Sequence, residues 1–316
     1  MYRIGVDLGG TNIAVGIVDE KYKIIAQNST KTKRERGAKA IVKDIALLIE
    51  DLLRKTGIKV DEICSAGIGV PGAVDTKKGV VTFSNNFDFK STELKKMLKD
   101  TTGFDFFVAN DANAAAFGEY IAGSGKGSDN FVLMTIGTGI GAGIVINGKI
   151  YTGVNGAAAE IGHTVIVKDG IPCSCGRKGC FERYASASAL TSMAQNAAEE
   201  NTNSELYKLC GGDIKKIEGR TVFAAIEKND KTAGEVLDKF IEYLAVGVTN
   251  IVNALQPDVL AIGGGVSAAG DVLINPLKQR VQIEDYARFC ELKTIIKAAV
   301  LSNDAGIIGA AYLDLT

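Results

Sequence analysis

The sequence predicts an α/β protein assembled from two related halves. Three observations carry that expectation. Ile4-Gly-Val-Asp7-Leu-Gly9-Gly10-Thr11-Asn12-Ile-Ala-Val-Gly16-Ile-Val reads as strand, glycine–threonine turn and returning strand. Roughly 130 positions later, Phe131-Val-Leu-Met-Thr-Ile-Gly137-Thr138-Gly139-Ile140-Gly141-Ala-Gly143-Ile-Val-Ile repeats the scheme. Each copy is followed by stretches of helical apolar spacing that alternate with short apolar runs, the pattern of a mixed α/β fold.

The elements follow in order. Tyr2–Val6 is expected to be a strand, Asp7–Thr11 a turn and Ile13–Val18 the returning strand, with a further strand over Ile24–Gln27. Ala, Ile and Leu spacing from Ala38 to Arg54 predicts an amphipathic helix. Ile63–Val70 is a strand stopped by Pro71-Gly72; Leu94–Lys99 is helical, Phe106–Ala109 a strand and Asn113–Ala122 a helix. Beyond the repeat, Ser186–Leu255 is rich in helix and Val259–Ile262 is a buried strand ending in three glycines. The last helix, Ala305–Leu313, is apolar enough to need a partner surface.

Composition narrows the function. Of 316 residues, 46% are hydrophobic and 23% charged, ordinary values for a globular chain with room for two cores. Lys+Arg 36 against Asp+Glu 37 leaves a net charge of -1, which argues against a nucleic-acid-coating surface. No apolar run is long enough to cross a bilayer. Met1-Tyr-Arg leads straight into a strand without a secretory signal, so a cytoplasmic, reducing setting is expected.

Cysteine usage adds a metal. His163, the sole histidine, lies ten positions before Cys173 in a run that continues Cys175-Gly176-Arg-Lys-Gly179-Cys180. One imidazole and three thiols make a full tetrahedral set for zinc and leave no position for water, so the ion would be structural. The competing readings are disulfides, or buried free thiols as expected for Cys64, Cys210 and Cys290 beside apolar residues or glycines. Glu160 and Glu182 flank the cysteine knuckle, a carboxylate pair suited to a hydroxyl-bearing ligand.

The two turns suggest phosphate chemistry. Glycines bring backbone N–H groups close to an anion and threonine adds a hydroxyl donor. Together the turns would clamp a polyphosphate, with Asp7 holding Mg²⁺ through water; each alone also reads as an ordinary hairpin. Gly123-Ser-Gly125-Lys126-Gly127-Ser128 imitates a phosphate loop, but lacks its spacing and is expected to be a flexible interdomain loop. A dinucleotide-binding reading of Gly5-Val-Asp7-Leu-Gly9-Gly10 fails because strand, not helix, follows. Asp111, in Asn110-Asp111-Ala-Asn113, reads either as a helix N-cap or as an ionised base able to accept a hydroxyl proton.

Taken together these motifs resemble the ROK family of bacterial sugar kinases and repressors, and its glucokinase branch in particular. The resemblance spans the chain through Asp7-Leu-Gly-Gly-Thr11, Gly67-Ile-Gly-Val-Pro-Gly72, Asn110-Asp111-Ala-Asn113, Gly137-Thr-Gly-Ile-Gly141, Glu160-Ile-Gly-His163, Cys173-x-Cys175-Gly-x-x-Gly-Cys180 and Ile262-Gly-Gly-Gly265. It implies an actin-like (ribonuclease H-like) ATPase fold, with residues 1–118 plus 302–316 as a smaller α/β domain. Residues 119–301 would form a larger one carrying the knuckle, and the last helix would return to the N-terminal domain.

The activity implied is ATP-dependent phosphorylation of a hexose at its 6-hydroxyl, glucose first, with Zn²⁺ structural and Mg²⁺ accompanying ATP. Asp111 would be the catalytic base. Gly72, Asn86, Asn110, Asp111, Glu160, His163 and Glu182 would bind the sugar. Asp7, Gly9, Gly10, Thr11, Asn12, Gly137, Thr138, Gly139, Gly264 and Gly265 would bind ATP, and His163, Cys173, Cys175 and Cys180 the metal. The family also implies a homodimer or homotetramer.

Two departures, Ala159 before Glu160 and Phe87-Asp88-Phe89-Lys90 after Asn86, lie at the implied sugar contacts. Fructose, mannose, allose, N-acetylglucosamine and N-acetylmannosamine therefore stay open as substrates. A sugar-responsive regulator of the same family would need a DNA-binding segment, and the chain begins with its first strand instead.

Overall fold

The structure, a computed structural model, describes residues 1–84 and 87–316. Strands β1 (Tyr2–Leu8), β2 (Asn12–Asp19) and β3 (Ile24–Lys31) form an antiparallel meander, followed by helix α1 (Gly37–Thr56) and strand β4 (Ile63–Val70). A small antiparallel sheet of β5 (Ala73–Asp75), β6 (Val80–Phe83) and β7 (Lys90–Thr92) comes next. Helix α2 (Leu94–Thr102), strand β8 (Phe106–Asn110) and helix α3 (Asp111–Ala122) complete the first half. In its main sheet the order is β3-β2-β1-β4-β8, with β4 parallel to β1 and β8 parallel to β4.

The second half opens with β9 (Phe131–Ile136), β10 (Ile140–Ile146) and β11 (Lys149–Ile150). Helices α4 (Glu182–Ala185), α5 (Ala187–Glu200), α6 (Glu205–Leu209), α7 (Gly219–Glu227) and α8 (Lys231–Leu255) follow. Strand β12 (Val259–Gly263), helix α9 (Asp271–Glu284), strand β13 (Ile295–Ala298) and helix α10 (Asp304–Ala311) close the chain. The second main sheet runs β11-β10-β9-β12-β13. Its order matches the first sheet strand for strand, so the repeated motif marks a repeated architecture.

Compact packing divides the chain into residues 1–133, 142–159 and 299–316, and residues 134–141 with 160–298. These bounds differ from the expected cuts at 118/119 and 301/302. Within the first unit the side chain of Glu119, fully buried on α3, ties α3 to the segment after it and to residues 300–301. One of its oxygens accepts from the N–H groups of Val300 and Leu301 at 2.9 and 2.6 Å. The other accepts from the N–H and Oγ of Ser124 at 2.8 and 2.7 Å. The segment 123–128 is therefore a tied turn with Ser124 buried, not the flexible loop expected from its glycines.

Around β1 the core of this unit forms two layers. Ile4, Val6 and Leu8 alternate onto one face and join Ile41, Ile45 and Ile49 of α1, whose four-residue spacing makes a single apolar stripe. Each such side chain contributes roughly 1.5–3 kcal/mol by leaving water. Helix α10 packs on β1, β4 and α3, and Ala305 through Ala311 are all buried. It fits because glycines stand on both sides of the contact: a Cβ on Gly5 of β1 would stand 1.9 Å from the Ile307 carbonyl oxygen, and one on Gly309 of α10 1.7 Å from that of Ala114.

Other expectations need adjustment. Asp7 belongs to β1, so the turn is only Gly9–Thr11. Helix α3 starts at Asp111 rather than Asn113, and Cys64 and Cys290 are exposed while Cys210 is buried. The small sheet β5–β7, α9 with its internal Pro276, and β13 carry too few periodic residues to be read from sequence.

Candidate active site

The first turn is built by backbone and locked from behind. Gly9 N–H donates to the Asn12 carbonyl at 2.9 Å, closing the link between β1 and β2. Thr32, fully buried, donates its Oγ1 to the Gly9 carbonyl at 2.7 Å and its N–H to that of Thr11 at 2.9 Å. No motif pointed to Thr32, since a lone threonine after a strand carries no signal. Gly9, Gly10, Thr11 and Asn12 line a cavity of about 700 Å³ together with Asp7, and Gln27, Asn28 and Ser29 of β3 extend the wall. Asn303 and Asp304, at the start of α10, complete it and were likewise missed.

Asp7 reaches this cavity from the end of β1, on the face opposite Val6 and Leu8. Burial, reinforced by the negative charge of Asp111, raises its pKa from 3.8 to about 6. Gly306 makes the approach of α10 possible, because a Cβ there would sit 2.9 Å from the Asp7 carboxyl. Two carboxylates sharing one neighbourhood favour a proton or a cation between them.

Asp111 is the first residue of α3, and its Oδ1 accepts from Ala112 N–H at 2.9 Å. The capping role weighed for it falls to Asn110, whose Oδ1 accepts from Ala112 and Asn113 at 2.9 and 3.2 Å. Asn110 also donates its Nδ2 to the Gly72 carbonyl at 3.1 Å, so Gly72, Asn110 and Asp111 form one group. Asn86, a sequence candidate for sugar binding, lies outside the described residues.

The knuckle assembles as its spacing implied. The ligand atoms of His163, Cys173, Cys175 and Cys180 all lie within 4.8 Å of one another. Cys173 Sγ stands 3.6 Å from His163 Nδ1, and Cys175 Sγ 3.6 Å from Cys180 Sγ. A tetrahedral zinc site with Zn–S bonds of about 2.3 Å needs edges of about 3.7 Å, so the donor set fits that ion. Gly179 permits the curl: its φ is +80°, and a Cβ would lie 1.6 Å from the Val167 carbonyl oxygen. Burial and the neighbouring thiols push Cys180 up to about 12, whereas the Arg177 backbone N–H lowers Cys175.

With Nδ1 turned to the thiols, His163 Nε2 points toward Glu160 Oε2, 4.0 Å away. Glu182 lies on the other side, its Oε1 3.2 Å from Cys173 Sγ and 3.6 Å from His163 Nδ1. The second turn meets this group directly: a Cβ on Gly139 would stand 2.6 Å from Glu182 Oε2. Gly137 N–H donates to the Gly139 carbonyl at 3.0 Å. The head of α5 holds the turn, Ala187 N–H donating to Gly137 at 2.9 Å and Ser188 Oγ to Thr138 at 2.8 Å.

Gly264 and Gly265 follow β12, and Gly264 adopts φ +82° against the backbone of Ile136. Beside them opens a cavity of about 570 Å³, walled by Phe223 and Ala224 of α7 and by Val266, Ala269 and Val272, with Glu218 and Arg220 among its polar residues. Its lining residues are scattered over three elements, which is why no local motif announced it.

This fold and these two glycine turns define an α/β protein of the actin-like (ribonuclease H-like) ATPase class. The ROK family model matches residues 3–316, and the chain belongs to that family. A glucokinase of Thermotoga maritima is 38% identical over 311 residues, covering 98% of this chain and 96% of its own. One of Halalkalibacterium halodurans is 37% identical over 316 residues, at 99% and 94% coverage. The crystal structure of a ROK family glucokinase from Streptomyces griseus, in complex with glucose and AMPPNP, is similar with TM-score 0.83, 34% identity and 99% coverage of both chains.

Proposed function

We propose that this protein is an ATP-dependent hexose kinase that phosphorylates the 6-hydroxyl of glucose. The observation that carries the reading is the cavity at the first turn, lined by Gly9, Gly10, Thr11, Asn12 and the half-buried Asp7. Full-length similarity to glucokinases supports it. In this reading Gly9, Gly10, Thr11 and Asn12 cradle the terminal phosphates, and Gly137, Thr138 and Gly139 contribute a second set of donors. The nucleoside occupies the cavity beside Gly264 and Gly265, with its base against Phe223 and Val266.

Gly72, Asn86, Asn110, Asp111, Glu160, His163 and Glu182 bind the sugar. Asp111 accepts the proton of the 6-hydroxyl as its oxygen bonds to the γ-phosphorus and the bond to the β-phosphate oxygen breaks, releasing ADP. Such general-base help is worth about 10²–10⁴ in rate. Asp7 would help hold the Mg²⁺ that accompanies ATP, and the ion would supply positive charge against the phosphate oxygens. His163, Cys173, Cys175 and Cys180 would hold a structural Zn²⁺, leaving the other edge of the imidazole toward Glu160.

In this reading residues 1–118 plus 302–316 and 119–301 act as the two functional domains. The protein works in the cytoplasm at the entry to glycolysis, as a homodimer or homotetramer, without nucleic acid or membrane. Among the described residues no helix is long and apolar enough to cross a membrane.

A coupled ADP-release assay over a hexose panel tests the proposal. Glucose is expected to give the highest kcat/KM, and Asp111→Asn to lower kcat by about 10²–10⁴ while leaving the KM for ATP within a few-fold. Full activity of Asp111→Asn, or stimulation by no sugar, overturns the assignment.

A further inference from the structure

The segment from the end of α9 to β13 carries an apolar face that the rest of the chain leaves uncovered. Tyr286, Phe289 and Leu292 are 87%, 87% and 89% exposed, and Ile283 and Ile295 flank them at 72% and 57%. Together these five side chains present on the order of 800 Å². Summed over the segment, that is about one partner's share of a standard interface. The Arg288 guanidinium lies 4.8 Å from the ring centre of Phe289.

Charge on the same segment is mixed. Glu284 and Glu291 are exposed, as is Lys293, and Lys278 lines a cavity of about 280 Å³ beside Ile295 with Lys293. Among the described residues none of these four has an ion-pair partner within the chain. A two-fold axis brings the same patch of both subunits together, so each residue set must complement itself. Exposed apolar side chains accompanied by charges of both signs satisfy that requirement, whereas charges of one sign would not.

We infer that residues 283–295 form the isologous contact with a second copy of this chain. The aromatic and aliphatic side chains make its centre, and Glu284 and Glu291 of each copy pair with Lys278 and Lys293 of the other. This deepens the homo-oligomer reading and is independent of the sugar and of the chemistry.

Sedimentation velocity on the full chain tests it, with kinase activity followed separately. Wild type is expected at twice the 33.2 kDa chain mass, or at four times. Phe289→Asp combined with Leu292→Asp is expected to halve that mass while circular dichroism stays native, and Val154→Asp, at an equally exposed apolar site elsewhere, to leave it unchanged. Two charge-reversed proteins, Glu284→Lys/Glu291→Lys and Lys278→Glu/Lys293→Glu, should each associate at least tenfold more weakly than wild type and recover when mixed. A monomeric wild type overturns both the face and the oligomer reading. An associating wild type whose mass survives the double aspartate variant, or reversed proteins that fail to recover on mixing, overturns this face alone.

Discussion

Asp7 is held in a state that solvent would not choose, and this has a measurable sign. Its folded pKa of about 6 lies above the ordinary 3.8, so between about pH 4 and 6 the native state binds more protons than the unfolded chain. Stability of the ligand-free protein should therefore be fully present below about pH 4, fall by about 3 kcal/mol across that window, and remain at the lower value above it. Asp7→Asn removes the dependence and should unfold at higher temperature than wild type at pH 7.5, the two converging near pH 4. Parallel melting curves at all pH values would contradict this. Cys175 offers a second residue-scale test. Being exposed, it costs little when replaced by serine unless it holds an ion. Cys175→Ser is expected to lower zinc from one per chain to near zero and to bring a clear drop in melting temperature, measured by metal analysis and calorimetry. Most such residues were legible because their chemistry is local: His163 and the cysteines lie within eighteen positions. Thr32, Asn303 and Asp304 were not, because their roles come from backbone partners or walls remote in sequence.

Helix α10 shows what the elements contribute. Its residues are apolar on every side, which sequence alone reads as a helix in need of cover. The cover proves to be β1, β4 and α3, approached so closely that Gly5, Gly67, Gly118 and Gly309 each leave no room for a methyl group. Gly309→Ala should cost about 3 kcal/mol or more, since the clash is with the Ala114 backbone carbonyl and cannot be relieved by a rotamer. Thermal unfolding that is unchanged in Gly309→Ala would refute the packing. Because α10 also carries Asn303 and Asp304 to the wall around Asp7, the same substitution should weaken nucleotide binding. Glu119 works between elements in a similar way. Four donors from Ser124, Val300 and Leu301 converge on a buried carboxylate, and Glu119→Gln, which turns an amide N–H₂ toward two of them, should destabilise by about 2–4 kcal/mol.

At the scale of the whole molecule the two main sheets share one strand order, and each contributes one glycine turn. If the turns bind nucleotide, AMPPNP with Mg²⁺ at a hundred times its dissociation constant should stabilise the protein by about 2.7 kcal/mol. Prior removal of zinc should lower the melting temperature without abolishing that increment, because the knuckle lies apart in sequence from the first turn's donors. An absence of any nucleotide-dependent shift in calorimetry would argue against the phosphate reading. The α/β class, the duplicated strand–turn–strand unit, the two glycine turns, the histidine–cysteine cluster and the family were all readable from the order of residues, because each is written in short-range spacing. Tertiary structure alone decided the extent of the compact units, the small sheet β5–β7, the cavity beside Gly265 and the exposure of Tyr286, Phe289 and Leu292. Those depend on which distant segments come together, and burial of a side chain is a property of its neighbours in space rather than of its neighbours in the chain.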